Sequence, residues 1–184
     1  MLIKINIKKN SFTLLEVIIA ITVLTIAVGG SFTLIQQTLT ASSQNKLKLT
    51  AYYLAQEGLE IARNIRDSNW LKQKRKDPDV SWDAGLADGL SVGDSGDYIA
   101  DYDDTSLSSF EDKPLNLDSD GFYSYSPGEP TPFRRKISIT KEDIPETDDP
   151  NDYSLRVLVV VNWSERGRGH SVQATEYLYN WDGN

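Results

Sequence analysis

The chain of 184 residues has no cysteine, a single histidine and no proline before Pro78. Without cysteine there is no disulfide framework, no thiolate metal site and no cysteine nucleophile. The absence is compatible with an oxidising exterior and does not by itself fix a compartment. With His170 as the one imidazole, histidine-based metal sites and Ser-His-Asp catalysis are disfavoured. Positive charge is also scarce. The formal net charge is −8, which argues against a general nucleic-acid binder. No nucleophile–base constellation stands out among the scattered carboxylates, so the reading is non-enzymatic, with no cofactor.

A further absence is local. From Val17 to Asn45 there is no charged residue, and Val17–Val28 holds ten apolar residues in twelve positions. A helix needs about 20 such residues to cross a bilayer. Lys4, Lys8 and Lys9 precede this stretch. Cations on that side hold it in the cytoplasm and place the remainder of the chain outside. A secretory signal with a cleavage site near QQTLTASSQN, residues 36–45, and a plain membrane anchor both fit the apolar run. Neither explains Glu16, a carboxylate at the head of the run, where an ionisable group is expensive and usually functional.

The lack of proline lets the helix continue. Leu47, Ala51, Leu54, Gly58, Ile61 and Ile65 recur at spacings of 4, 3, 4, 3 and 4, one apolar stripe of an amphipathic helix. The pattern predicts one helix from about Phe12 to about Asp67, apolar nearly all round at first and one-sided later. Gly29 and Gly30 between the halves are candidate points of bending or local melting. Gly58 on the stripe either admits a close strand or is an ordinary tolerated glycine. KQKRK, residues 72–76, marks the helix end with cations that suit a helix C-terminus. A solvated face is the bland account of that run, a nucleic-acid or lipid contact the sharper one.

Residues 77–132 hold fourteen acids against one base, Lys113, with frequent Gly, Ser and Pro. They read as a long, irregular acidic region. Asn116, Asp118, Asp120 and Gly121 match the start of a calcium loop. Pro127 stands where its bidentate glutamate belongs, so a hairpin turn is favoured over a weak metal site. A strand is plausible near residues 122–126. From Phe133 the period becomes two. FRRKISIT, YSLRVLVVVNW and SVQATEYLYNW read as strands, with Arg135 the exception on its apolar face and a hairpin turn near Gly167 and Gly169. Arg166, Arg168 and His170 cluster at that turn, either as an anion or DNA contact or as an exposed tip. Short connections imply an antiparallel sheet, with the helix stripe as its cover. The fold class is therefore α+β: a long N-terminal helix packed on a C-terminal antiparallel sheet.

The stretch KKNSFTLLEVIIAITVL, with YYLAQEGLEIARNIRD at residues 52–67, resembles type IV pilins and type II secretion pseudopilins, in particular minor pilins. The likeness at motif level covers residues 8–67. It implies cleavage by prepilin peptidase between Ser11 and Phe12, N-methylation of Phe12, and assembly through the N-terminal helix. It implies a ladle-like fold and a role for Glu16 in meeting the N-terminal amine of a neighbouring subunit. Its partners would be the peptidase, other pilins or pseudopilins and the cytoplasmic membrane, followed by a cell-surface pilus or pseudopilus. The corresponding organisation is a cleaved leader at 1–11, a membrane or filament-core helix at 12–35, its amphipathic continuation at 36–68, the acidic region at 69–132 and the sheet at 133–184. Serine rather than glycine before the cut, Thr33 where many major pilins carry proline, and the missing cysteine pair point to a minor pilin or pseudopilin. A pilin-like subunit displaying an adhesive or DNA-contacting surface is the alternative, as is a plain membrane-anchored extracellular domain.

Overall fold

The computed structural model describes residues 13–75, 77, 79–144 and 152–181. It is α+β, a long N-terminal helix packed on a C-terminal antiparallel sheet. The chain divides at Asn45/Lys46 into two compact units. Helix α1, Leu14–Arg75, runs through both and is followed by eight strands: β1 (Ser95–Ile99), β2 (Ser108–Ser109), β3 (Asn116–Leu117), β4 (Tyr123–Ser124), β5 (Glu129–Pro130), β6 (Arg134–Asp143), β7 (Tyr153–Glu165) and β8 (Arg168–Tyr179).

The first unit contributes a helix with no buried side chain as far as Gln44, Thr40 alone being partly covered. The second holds the core. Of the expected stripe, Ala51, Leu54, Gly58, Ile61 and Ile65 are buried on α1 and Leu47 is partly buried; Ala55 and Ala62 are buried beside it. They meet Ile137 and Ile139 of β6, and Leu155, Val157, Val159, Val161 and Trp163 of β7, all inward-facing by strand alternation. Gly58 lies against β7. A Cβ there would sit 2.8 Å from Val159 Cγ1 and 3.3 Å from Arg135 Cδ, so glycine is what permits the approach.

The main sheet has five strands in the order β2-β1-β6-β7-β8, all neighbours antiparallel. The β6–β7 and β7–β8 registers run unbroken over Arg134↔Asn162 to Asp143↔Tyr153 and Ser154↔Tyr179 to Glu165↔Arg168. The turn between β7 and β8 is Arg166–Gly167, both with positive φ (50° and 77°), a two-residue hairpin whose twist suits the flanking strands.

Two differences from the sequence reading have clear causes. The helix does not stop at Asp67 but reaches Arg75, because Asn69 and Trp70 are buried. Asn69 Nδ2 donates to the Trp82 and Ala84 carbonyls at 3.2 and 2.7 Å, and Trp70 Nε1 donates to Asn180 Oδ1 at 3.2 Å. Lys72, Lys74 and Arg75 occupy the last turn. The acidic stretch is also more ordered than its composition suggests. Trp82, Leu86, Ala87, Ala100 and Leu115 are buried and anchor it to the core. It supplies β1 and β2 to the main sheet, and β3, β4 and β5 form a second sheet in the order β4-β3-β5. The strand expected near residues 122–126 is β4, and it belongs to that second sheet. Around the first anchor, Tyr153 donates to Asp83 Oδ2 at 2.9 Å, Ser81 also bonds to Asp83, and Lys141 Nζ lies 3.4 Å from the same carboxylate. Burial, then the hydrogen bond to Asp83, pushes the Tyr153 phenol well above its ordinary pKa.

Candidate functional site: the exposed apolar helix and Glu16

The helix begins with a cap. Thr13 Oγ1 accepts the Glu16 amide at 3.2 Å, and the Thr13 carbonyl accepts the Val17 amide at 3.2 Å. This satisfies one of the amides that a helix start leaves without a partner. Glu16 stands in the first turn, where the helix dipole favours negative charge. Thr13-x-x-Glu16 is a capping-box spacing, and reading Glu16 only as an unpartnered carboxylate overlooks it. The cap occupies the Glu16 backbone. Among the described residues the exposed carboxylate itself has no hydrogen-bond or ion-pair partner.

Beyond it, every large apolar side chain from Leu14 to Leu39 is exposed, between 45% (Val17) and 81% (Leu14). Contiguous apolar surface of this kind marks a contact with lipid or protein. The hydroxyl groups interspersed in it are compatible with a dry environment. The hydroxyls of Thr22, Ser31, Thr33, Thr38 and Thr40 donate to the carbonyl four residues back at 2.8 to 3.1 Å, and Thr25 to the carbonyl three back at 2.8 Å. A hydroxyl satisfied by its own helix does not need water. Glu16 is thus the one ionisable side chain in the exposed stretch from Leu14 to Asn45. This part of α1 is long and apolar enough to cross a membrane.

The other predicted positions fall as follows. Ser11 and Phe12 lie outside the described residues. Gly29 and Gly30 sit inside continuous helix, with no atom within 4 Å of where a Cβ would stand, and the Gly29 carbonyl accepts from Thr33 Oγ1. Asn116, Asp118 and Asp120 belong to the β3–β4 hairpin. Asp118 Oδ1 accepts the amides of Asp120 and Phe122, each at 2.9 Å, Asn116 Nδ2 donates to the Ser126 carbonyl at 2.9 Å, and Gly121 has φ 89°. Asp118 is thereby a turn-former, and the described residues contain no group of three or more His, Asp or Glu set to hold a metal. Arg166 is at the β7–β8 tip, Arg168 is exposed at the start of β8, and His170 stacks on Trp163 with ring centroids 5.3 Å apart.

Sequence reasoning placed Arg135 on the apolar face as an exception. The structure buries it completely, with Nη1 donating to Glu57 Oε1 (2.7 Å) and the Leu54 carbonyl (3.3 Å), and Nη2 to the Ala100 carbonyl (2.8 Å). It ties α1, the sheet and the start of the β1–β2 connection together.

Comparison of the chain with protein-family models, curated proteins and solved structures found no match.

Proposed function

We propose that this chain is a non-enzymatic structural subunit, of the minor kind, of a type IV pilus or related pseudopilus. It is inserted in the cytoplasmic membrane with Lys4, Lys8 and Lys9 inside and the sheet-bearing unit outside. It is cut between Ser11 and Phe12, methylated at Phe12, and assembled through its N-terminal helix. The observation that carries this reading is an exposed apolar helix with one unpartnered carboxylate, Glu16, continuous with a helical stretch already covered by its own sheet.

The physical sequence is coherent. From Val17 to Leu39 the helix spans about 35 Å, close to the thickness of a bilayer core. Glu16 then stands at the cytoplasmic border of the hydrocarbon, within reach of headgroups and water. Transfer into a packed helical assembly removes that water. A lone carboxylate would be expensive there, whereas one paired with a neighbour's amine is tolerated and sets the stagger. A plain anchor gives Glu16 no such task.

The test is Glu16→Ala in the native host, read by the mass and N-terminal sequence of the membrane-extracted chain and by its presence in sheared filaments or pseudopili. The expected result is a variant that starts at methylated Phe12 and stays in the membrane, with incorporation lost. A wild-type chain that begins at Met1 supports a plain anchor. One that begins after about residue 40 means ordinary secretion. Undiminished incorporation of the variant removes the role of Glu16.

A further inference from the structure

One end of the main sheet carries an open hollow of about 480 Å³, where the start of β6, the end of β7 and the start of β8 run side by side. The strand register builds it. Asn162 is paired with Arg134 on one side and Ser171 on the other, and two residues along β7 Ser164 is paired with Gly169. Asn162 and Ser164 alternate with the buried Val161 and Trp163, so they stand on the face turned away from the core. Gly169 brings no side chain to fill the space, and a Cβ there would meet no atom within 4 Å.

The polar side chains lining this hollow are unengaged. Those of Asn162, Ser164, His170 and Ser171 make no hydrogen bond among the described residues. Arg134 uses Nη1 alone, donating to the carbonyl and the carboxylate of Asp112 at 2.6 and 3.1 Å, and keeps Nε and Nη2 without a partner among the described residues. Trp163 also lines the hollow, stacked on His170, and its Nε1 is buried with no acceptor among the described residues. Buried donors are nearly always paired, so this one marks a place where an acceptor is missing. Among the described residues no carboxylate lines the hollow, although the chain as a whole has a formal charge of −8. The surface at large repels anions, and this hollow offers one a guanidinium.

We propose that this hollow binds an acidic saccharide, with a sugar carboxylate on Arg134 and sugar hydroxyls on Asn162, Ser164 and Ser171. The two guanidinium nitrogens left without a partner, Nε and Nη2, form a fork that matches a carboxylate in two parallel hydrogen bonds. The volume is that of a small-molecule site, and a lone inorganic anion would leave most of it empty. The rest of the lining decides the class. A sugar hydroxyl both donates and accepts, and so do the asparagine amide and the serine hydroxyls, so a polyhydroxylated ring is met group by group. The apolar share is Pro132 and the Trp163–His170 stack, which gives a hydrophobic ligand or an apolar peptide side chain little to bury against. A nucleic-acid strand is the competing anion. It needs a groove of positive charge along its backbone, whereas Arg134 is the one arginine or lysine among the described lining residues. The site goes beyond the filament reading and does not depend on it.

The probe is a trimer of galacturonic acid, titrated into the full-length isotope-labelled chain in detergent, with the uncharged galactose trimer as its comparison. The readout is the indole N–H resonance of Trp163, assigned by its disappearance in Trp163→Phe. The expected result is a saturable shift with the uronate trimer and an affinity about tenfold weaker for the galactose trimer. Arg134→Gln should lower the uronate affinity about tenfold and leave that for galactose unchanged, so that the preference disappears. A merely structural role of Arg134 would weaken both sugars alike. Gly169→Val fills the hollow, meets no atom at its Cβ, and should abolish binding at an unchanged urea midpoint. Arg168→Gln, exposed beside the hollow and not lining it, should leave the affinity unchanged. No saturable shift with the uronate trimer, equal affinity for the two trimers, or undiminished binding by Gly169→Val overturns the inference. Tighter binding of a single-stranded oligonucleotide, lost in Arg168→Gln as well as in Arg134→Gln, means a nucleic-acid contact and overturns it too.

Discussion

The two halves of α1 are built from similar residues and answer to different surroundings. In the half before Asn45 the apolar side chains cover the whole circumference, and all of the large ones are exposed. In the half after Lys46 they form a stripe, and the stripe is buried to between 0% and 5% exposure from Ala51 to Ile65. Each half also holds an ionisable group of consequence. Glu16 has no partner within the described chain, whereas Glu57 meets a completely buried arginine. The difference lies in the cover: the chain's own sheet covers the second half, and no described residue covers the first.

The strongest way to sharpen the contrast is to break the ion pair that the chain completes for itself. Arg135→Ala removes three hydrogen bonds and the packing of the side-chain stem, and takes a donor from the Leu54 and Ala100 carbonyls. Glu57 is 35% exposed and water can reach it, so the loss comes mainly from the emptied core volume, about 2–5 kcal/mol. Arg135→Met combined with Glu57→Gln should recover most of it, since an apolar replacement of similar volume avoids burying charge. All four tryptophans, Trp70, Trp82, Trp163 and Trp181, lie in the second unit. Urea unfolding followed by their fluorescence therefore reports on that unit, and Glu16→Ala should leave the midpoint unchanged. Equal effects of Arg135→Ala and Glu16→Ala would break the comparison.

Glycine gives a smaller test with opposite signs. Gly58→Ala pushes a Cβ to 2.8 Å from Val159 Cγ1, inside a buried and β-branched neighbour, and is expected to destabilise by about 1–3 kcal/mol. Gly29→Ala and Gly30→Ala meet nothing within 4 Å. Each should stabilise the first half by about 1 kcal/mol through helix propensity, seen as slower amide exchange over residues 25–34 in detergent. Faster exchange there in wild type than in the flanking turns would support the bending role assigned to this pair.

Much of this arrangement was legible in the sequence because periodicity reports burial directly. The spacing from Leu47 to Ile65 and the alternation from Tyr153 to Trp163 each name a face, and those faces meet. The acidic stretch was less legible. Its fourteen acids dominate composition, while order there comes from a few isolated apolar residues, Trp82, Leu86 and Leu115, that have no period. The apolar stripe alone ended the helix short, at Asp67, for a related reason, although the KQKRK run marked where it stops: Asn69 is polar, and only tertiary hydrogen bonds to the Trp82 and Ala84 carbonyls make it a core residue. Arg135 could be seen to violate the strand pattern, but its partners are 78 and 35 residues away in sequence, beyond the reach of any local rule. At Glu16 the carboxylate was legible and so was its capping context, and the two point to different tasks for the same residue.

The smallest predicted effect concerns acid, and it too separates the two halves. Asp97 on β1 accepts from Lys136 Nζ at 2.8 Å and from Ser138 Oγ at 2.5 Å, both on β6. The hydrogen bond from Lys136, then that from Ser138, holds its carboxyl below the ordinary value. A lowered folded-state pKa contributes stability that is fully present above the unfolded value and is lost as pH falls through the folded one. The β1–β6 seam should therefore weaken as pH falls below the ordinary aspartate value of 3.8. The pair is partly exposed, so screening limits the contribution to a few tenths of a kcal/mol. Asp97→Asn should remove that part of the acid dependence from the tryptophan-monitored midpoint while leaving amide exchange in the Leu14–Leu39 helix untouched. An unchanged acid dependence in the variant would mean that the seam is held by strand pairing alone, and that β1 belongs to the sheet through its backbone rather than through this ion pair.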